Sequence, residues 1–388
     1  MTSFVHPQLG KIRPIVESGT RCFYGLKPTA VSPPGGCDME LHLIQKSLKH
    51  GQFASSTTEC LNLNLAMPEK ISAPLPVFVF LDGGGFYIGA NAWPQYDLAR
   101  LVKLSYELGK PVVGVQINYR LGVYGVLYSS TLRDAGVKAN RGIRDQRTAL
   151  EWVRENIAGF GGDPEQVTLV GESAGGVGQL RYLFCCSWSR VVPSGPAWRL
   201  PKRYILVSTL RKTLETSVSS LQSDVDAILE AYGITASDSF DETMAKILRF
   251  VNDIQFYAPT VTLSKAWPKS SFVCHFNELN PWDGPAKGEA NHILDVAFLF
   301  QNFNEYLDPT QAKTAQDFGR DFISFVNGED SFPRHDLEKG GAKVYGGGGF
   351  VTCQKTVDYG RRPVTWELAS RFGLDKLSGA LDMVIAGH

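Results

Sequence analysis

Gln166-Val167-Thr168-Leu169-Val170-Gly171-Glu172-Ser173-Ala174-Gly175-Gly176 decides the reading of this chain. An apolar, β-branched run ends at Gly171, and a helix-compatible run follows from Gly176 to Phe184. Gly171-Glu172-Ser173-Ala174-Gly175 therefore lies on a strand-to-helix turn. In a chain with 39 glycines the pattern Gly-x-Ser-x-Gly says little by itself. On a strand-turn-helix it forces a serine into strained backbone, with its hydroxyl projecting above the sheet. The flanking glycines suit so sharp a turn, where a side chain would clash. Ser173 is the candidate nucleophile; the bland alternative is an ordinary turn serine.

Working upstream, Pro76-Val77-Phe78-Val79-Phe80-Leu81 is a continuous apolar run closed by Asp82-Gly83-Gly84-Gly85, and Pro111 to Tyr119 is a second such run. Both have the texture of buried parallel strands. Between them Leu98, Leu101, Val102 and Tyr106 recur at helical spacing, which makes a βαβ unit. The order repeats: Ile143, Leu150, Val153 and Ile157 form a helical stripe before the strand at 166–171. Cys60-Leu61-Asn62-Leu63-Asn64-Leu65 alternates as a strand does. Downstream, 203–207 and 271–276 read as strands, and 221–232 as a helix. Asp308-Pro309 caps a helix that runs to about Asn327. The glycine-rich stretch 340–349 reads as a loop, since no Lys-Ser/Thr follows to make a phosphate cradle.

The 388 residues carry 39 Lys+Arg against 39 Asp+Glu, so no surplus charge recommends nucleic acid or anionic membrane as a partner. With 43% hydrophobic and 20% charged residues the chain has a globular balance. No apolar run reaches the length of a membrane span. The opening residues lack a basic stretch before an apolar block, so the expected location is cytoplasmic. Seven cysteines, without paired Cys-x2-Cys, argue against a zinc site and a disulfide framework. No metal or cofactor is expected.

A serine that attacks a carbonyl needs N–H donors where the oxyanion forms and a general base for its proton. The glycine turn after the 76–81 strand supplies the first: Gly84 and Gly85, with Ala174 after the nucleophile, form a three-donor oxyanion hole. Of seven histidines, His6, His42 and His50 precede the first sheet strand and His388 is the last residue. His275 alternates within a strand and is read as a core or edge residue. His292 follows the loop-like segment Asn280 to Asn291, comes after Ser173 in chain order, and is the favoured base.

These residues together amount to a resemblance. Asp82 to Phe86, Asn118-Tyr119-Arg120-Leu121-Gly122, Asp145 to Val153, Phe160-Gly161-Gly162-Asp163-Pro164 and Gly171 to Gly176 resemble the signature strings of type-B carboxylesterases. These form the cholinesterase-like branch of the α/β-hydrolases. Cys60-Leu61-Asn62-Leu63-Asn64 is similar to the family's Cys-Leu-x-Leu-Asn, and 280–300 resembles the fungal-type branch, in which the histidine aligned with His292 is the base. The likeness runs by eye over most of the chain. It implies an α/β-hydrolase fold with a mostly parallel central sheet flanked by helices, spanning 1–388 as one domain. It also implies a serine carboxylic-ester hydrolase acting on a small-molecule ester through an acyl-enzyme, with no cofactor. In the family the cysteine aligned with Cys60 can pair with one upstream, here Cys37; without a signal peptide the pair is expected reduced.

Departures from the pattern shape further expectations. Asp82 stands where relatives carry His or Tyr, and an ionised side chain there would oppose a developing oxyanion. Blocks are expected to be missing near residues 25–35 and 184–204, since Ser173 and His292 are only 119 positions apart. The third triad member is not found: Lys202 or Arg203 occupies its aligned place, and Glu215 is the nearest carboxylate. The rival reading is therefore a degenerate, catalytically weak or inactive relative that binds a ligand or partner without turnover.

Overall fold

The computed structural model describes residues 3–17, 19–25, 28–177, 186–188, 222–267, 270–335, 342–346, 351–354, 362–373 and 376–377. The chain divides into two units, Met1–Phe184 with Asp295–Ser331 and Cys185–Leu294 with Phe332–His388.

The first unit is built on a six-stranded sheet of β1 (Ile15–Glu17), β2 (Thr20–Phe23), β3 (Leu63–Pro68), β4 (Leu75–Leu81), β5 (Val113–Ile117) and β6 (Gly162–Gly171), in the order β6-β4-β5-β3-β2-β1. β4 is parallel to both β5 and β6, as the βαβ reading requires, while β3, β2 and β1 add an antiparallel edge. The parallel strands are apolar on both faces because both faces are covered. Val77, Val79, Leu81, Val113, Val115 and Ile117 pack with Val153, Ile157 and Phe160 from and just beyond the helix Arg141–Asn156. On the other face Phe78 meets Phe322 of the helix Pro309–Val326, and Phe80 meets Tyr96 and Phe300. Gly114 permits this layer: a Cβ there would lie 2.6 Å from the Phe78 ring. The helix Ala99–Glu107 crosses from β4 to β5. Asp308 caps the helix Pro309–Val326 by accepting from the Gln311 N–H at 2.8 Å, with Pro309 in its first turn, as expected.

In the second unit β7 (Cys186–Trp188), β8 (Cys274–Phe276), β9 (Ala342–Tyr345) and β10 (Val351–Gln354) form a sheet in that order, parallel, parallel, then antiparallel. Two expectations are corrected here. The stretch 340–349 is not simply a loop, because 342–345 pairs with β8 and with β10 on either side of the glycines. Within 184–204, where a block is expected to be missing, the chain contributes the strand β7. The expected strand at 203–207 lies outside the described residues, as does most of 184–204. Val225, Ile228, Leu229 and Tyr232, on or just after the helix Gln222–Ala231, form a core with Phe250, Val251, Ile254 and Leu368.

The helix Phe240–Asn252 was not anticipated, although its start carries a capping box. The Ser239 N–H donates to Glu242 Oε2 at 2.9 Å, and the Glu242 N–H donates to Ser239 Oγ at 3.3 Å. Ser239→Ala should lower stability by about 1 kcal/mol, read as a fall in denaturation midpoint at unchanged slope. Among the described residues no helix is long and apolar enough to cross a membrane.

Candidate active site

Gly171 at the end of β6 lies opposite Leu81 at the end of β4, so the serine turn and the glycine turn leave neighbouring parallel strands at one level. Ser173 has φ +47°, the left-handed region that a non-glycine residue enters only when its surroundings enforce it. The surroundings are tight. A Cβ on Gly171 would lie 2.5 Å from the Gly175 carbonyl carbon, and one on Gly175 would lie 2.2 Å from Leu81 O and 2.6 Å from Asp82 O. The Glu172 N–H donates to Leu81 O at 3.2 Å, and the helix Ala174–Val177 opens directly after the serine. Because both atoms facing Gly175 belong to backbone, Gly175→Ala should cost roughly 3 kcal/mol in thermal unfolding.

The glycine turn closes on itself: the N–H groups of Tyr87 and Ile88 both donate to Gly84 O at 3.0 Å. Gly84 and Gly85 have φ +81° and +65°. A Cβ on Gly84 would strike Ile88 O at 2.3 Å, whereas one on Gly85 would meet nothing within 4 Å. Gly85 thus borders open space. Among the described residues no acceptor takes the N–H of Gly84, Gly85 or Ala174. Three unclaimed donors on two adjoining turns are the hydrogen-bonding capacity an oxyanion needs.

Other signature residues hold this frame. Arg120 makes a two-pronged pair with buried Asp145, Nε and Nη2 donating at 2.7 and 2.6 Å. The asparagines 62, 64, 91 and 118 form one amide network. The Asn91 N–H donates to Asn118 Oδ1 at 2.9 Å, Asn91 Nδ2 to Asn62 Oδ1 at 3.0 Å, and Asn64 Nδ2 to Asn91 O at 2.5 Å. Asn62 and Asn64 of the Cys60-Leu61-Asn62-Leu63-Asn64 string therefore tie β3 to the segment after the glycine turn. Cys37 and Cys60 are buried free thiols.

Asp82 departs from expectation. It is 2% exposed, and burial, with Glu40 and Glu172 nearby, pushes its carboxyl well above the usual aspartate range. That shift disfavours the charged form, the one that would oppose an oxyanion. Glu172 packs on the glycine turn, its Oε2 lying 1.8 Å from where a Cβ on Gly83 would be.

Ser173, Ala174, Gly84 and Gly85 come together in the first unit; His292 lies in the second. Its loop is braced by amides: Asn280 Nδ2 donates to Asn291 Oδ1 at 2.8 Å, and Asn291 Nδ2 donates to His292 O at 3.0 Å. Ile293 beside it has φ +67°. The half-buried His292 ring faces Phe256 at 6.3 Å, while His275, 1% exposed within β8, faces Tyr257 at 6.0 Å. Phe256 and Tyr257 belong to a π-helical turn, Asp253–Tyr257, which sequence periodicity could not announce. Glu215, Lys202 and Arg203 lie outside the described residues.

Residues 28–189 match the model of the carboxylesterase family. A secreted lipase of Arthroderma benhamiae is 41% identical over 39% of this chain and 28% of its own length. A para-nitrobenzyl esterase of Bacillus subtilis is 44% identical over 34% of this chain and 26% of its own length. The chain thus spans little more than a quarter of the length of these curated relatives. Among solved structures, a thermophilic PNB esterase superposes with a TM-score of 0.72 at 19% identity, covering 93% of this chain and 99% of that one. The fold is that of the α/β-hydrolases.

Proposed function

We propose, from the premise that residues 28–189 belong to the carboxylesterase family, that this protein is a serine carboxylic-ester hydrolase working through an acyl-enzyme. The observation that carries the reading is Ser173 at φ +47° beside three unclaimed N–H groups. Ser173 Oγ attacks the ester carbonyl carbon as His292 accepts its proton. The carbonyl oxygen becomes an anion held by the N–H groups of Gly84, Gly85 and Ala174. Collapse breaks the bond to the alkoxy oxygen, the His292 proton passes to it, and an alcohol leaves. Water, deprotonated by His292, then attacks the acyl-serine and releases the acid.

The substrate class is a small-molecule ester, in keeping with relatives named as lipases and a para-nitrobenzyl esterase. The chain is taken as a single α/β-hydrolase domain, supported by a likeness covering 93% of it. Cytoplasmic residence completes the proposal. It rests on the buried free thiols of Cys22, Cys37 and Cys60, whereas two relatives are named as secreted lipases. The degenerate alternative is weakened, since burial of Asp82 disfavours the charge that would oppose an oxyanion. The test is a fluorophosphonate probe with peptide mass readout. One phosphonyl group on the Ser173 peptide is expected, and an unlabelled protein would overturn the reading.

A further inference from the structure

We propose that Asp82 is a positioning residue whose buried carboxyl fills the hollow under the turn 83–89 and holds the Gly84 and Gly85 N–H groups in place. The inference deepens the esterase reading and rests on it for the role of those donors. Packing is the first support. Gly89 has φ +135°, and a Cβ there would lie 2.1 Å from Asp82 Oδ2, so the carboxyl lies directly against the far end of the turn. At the near end Asp82 O accepts from Tyr119 Oη at 2.7 Å and crowds Gly175 of the serine turn. One residue touches both ends of the glycine turn and the elbow beside it.

Surroundings are the second support. The titratable groups acting on Asp82 are Glu40 from the helix Gly36–Ile44 and Glu172 from the elbow, with the phenols of Tyr96 and Tyr119 nearby. Among the described residues no lysine, arginine or histidine joins them. Glu40, Glu172 and Tyr96 are each at most 6% exposed, and among the described residues Asp82 Oδ1 has no hydrogen-bond partner. Glu40 accepts from Gln95 Nε2 at 2.9 Å. Among the described residues these acids do not form a metal-ligating cluster. Burial and the neighbouring acids outweigh the hydrogen bond from the Asp82 backbone N–H, and the balance favours the protonated carboxyl.

Asparagine copies the shape and neutrality of a protonated aspartate, whereas alanine empties the hollow. The wild type, Asp82→Asn and Asp82→Ala are to be compared. Below about pH 4 aspartate is protonated in folded and unfolded chains alike; as pH rises the unfolded chain releases its proton first, and stability is lost up to the folded pKa. The Tm of Asp82→Asn should therefore gain on the wild type as pH rises above about 4. A flat difference would overturn the protonated carboxyl. At a common pH, Asp82→Ala should speed hydrogen exchange in the peptide 82–90. It should also lower kcat on the order of tenfold at unchanged KM, part of the 10²–10³ that loss of a whole oxyanion donor costs. Asp82→Asn should restore both. If alanine and asparagine behave alike, Asp82 positions nothing. Should all three proteins fail to hydrolyse esters while the Tm and exchange contrasts persist, the esterase reading falls and the structural role of Asp82 stands.

Discussion

Ser173→Ala should abolish hydrolysis of a short-chain p-nitrophenyl ester and all phosphonate labelling, with thermal unfolding little changed. Removing a triad nucleophile lowers turnover on the order of 10⁶, because acyl transfer then lacks its covalent step. The fold should tolerate the change. Ser173 is held at φ +47° by the clearances around Gly171 and Gly175, not by its hydroxyl, and alanine keeps the Cβ that serine already places there. The oxyanion donors stay in position, so any residual rate measures what they contribute without a nucleophile. Labelling of the variant at another serine, or a rate above a small fraction of the wild type, would remove Ser173 from the reaction.

Much of this site is legible in the sequence because it is built from local backbone constraints. Gly171 and Gly175 announce a turn that tolerates no side chain, and the 76–81 run announces a strand covered on both faces; the glycine clearances and the packing of Phe78 and Phe80 are the physical counterparts. What depends on distant partners is not legible. The raised pKa of Asp82 comes from its burial and from Glu40, which a helix remote in sequence carries into the same pocket. The strand at 342–345 exists because β8 and β10 flank it, and Gly346 beside it would place a Cβ 2.2 Å from Glu278 N; nothing in a run of glycines signals that approach. The family likeness fades in a similar way. The family model matches 28–189, where the strings that shape the turns lie, whereas the likeness covering 93% of the chain is at 19% identity and concerns fold alone.

The two histidines separate function from packing in the second unit. His275 is 1% exposed at the centre of β8, with parallel strands on both sides and the Tyr257 ring at 6.0 Å. Its truncation leaves a void in a sheet, so His275→Ala should cost roughly 2 kcal/mol of stability, with kcat of the folded fraction preserved. His292 is half-buried on an irregular loop, and the Asn280–Asn291 clamp that braces it acts through its backbone carbonyl. A half-buried ring gives up less packing than one 1% exposed within a sheet, so His292→Ala should lower the unfolding midpoint less than His275→Ala does. Turnover should nevertheless fall by about 10⁴ or more, since a serine hydroxyl without a base is a weak nucleophile at neutral pH. Melting curves and active-site-titrated rates on one ester measure both effects in both variants. An exchange of phenotypes, with His275→Ala folded but inactive and His292→Ala active but unstable, would assign the proton shuttle to the strand and leave the 280–291 loop with a purely structural part.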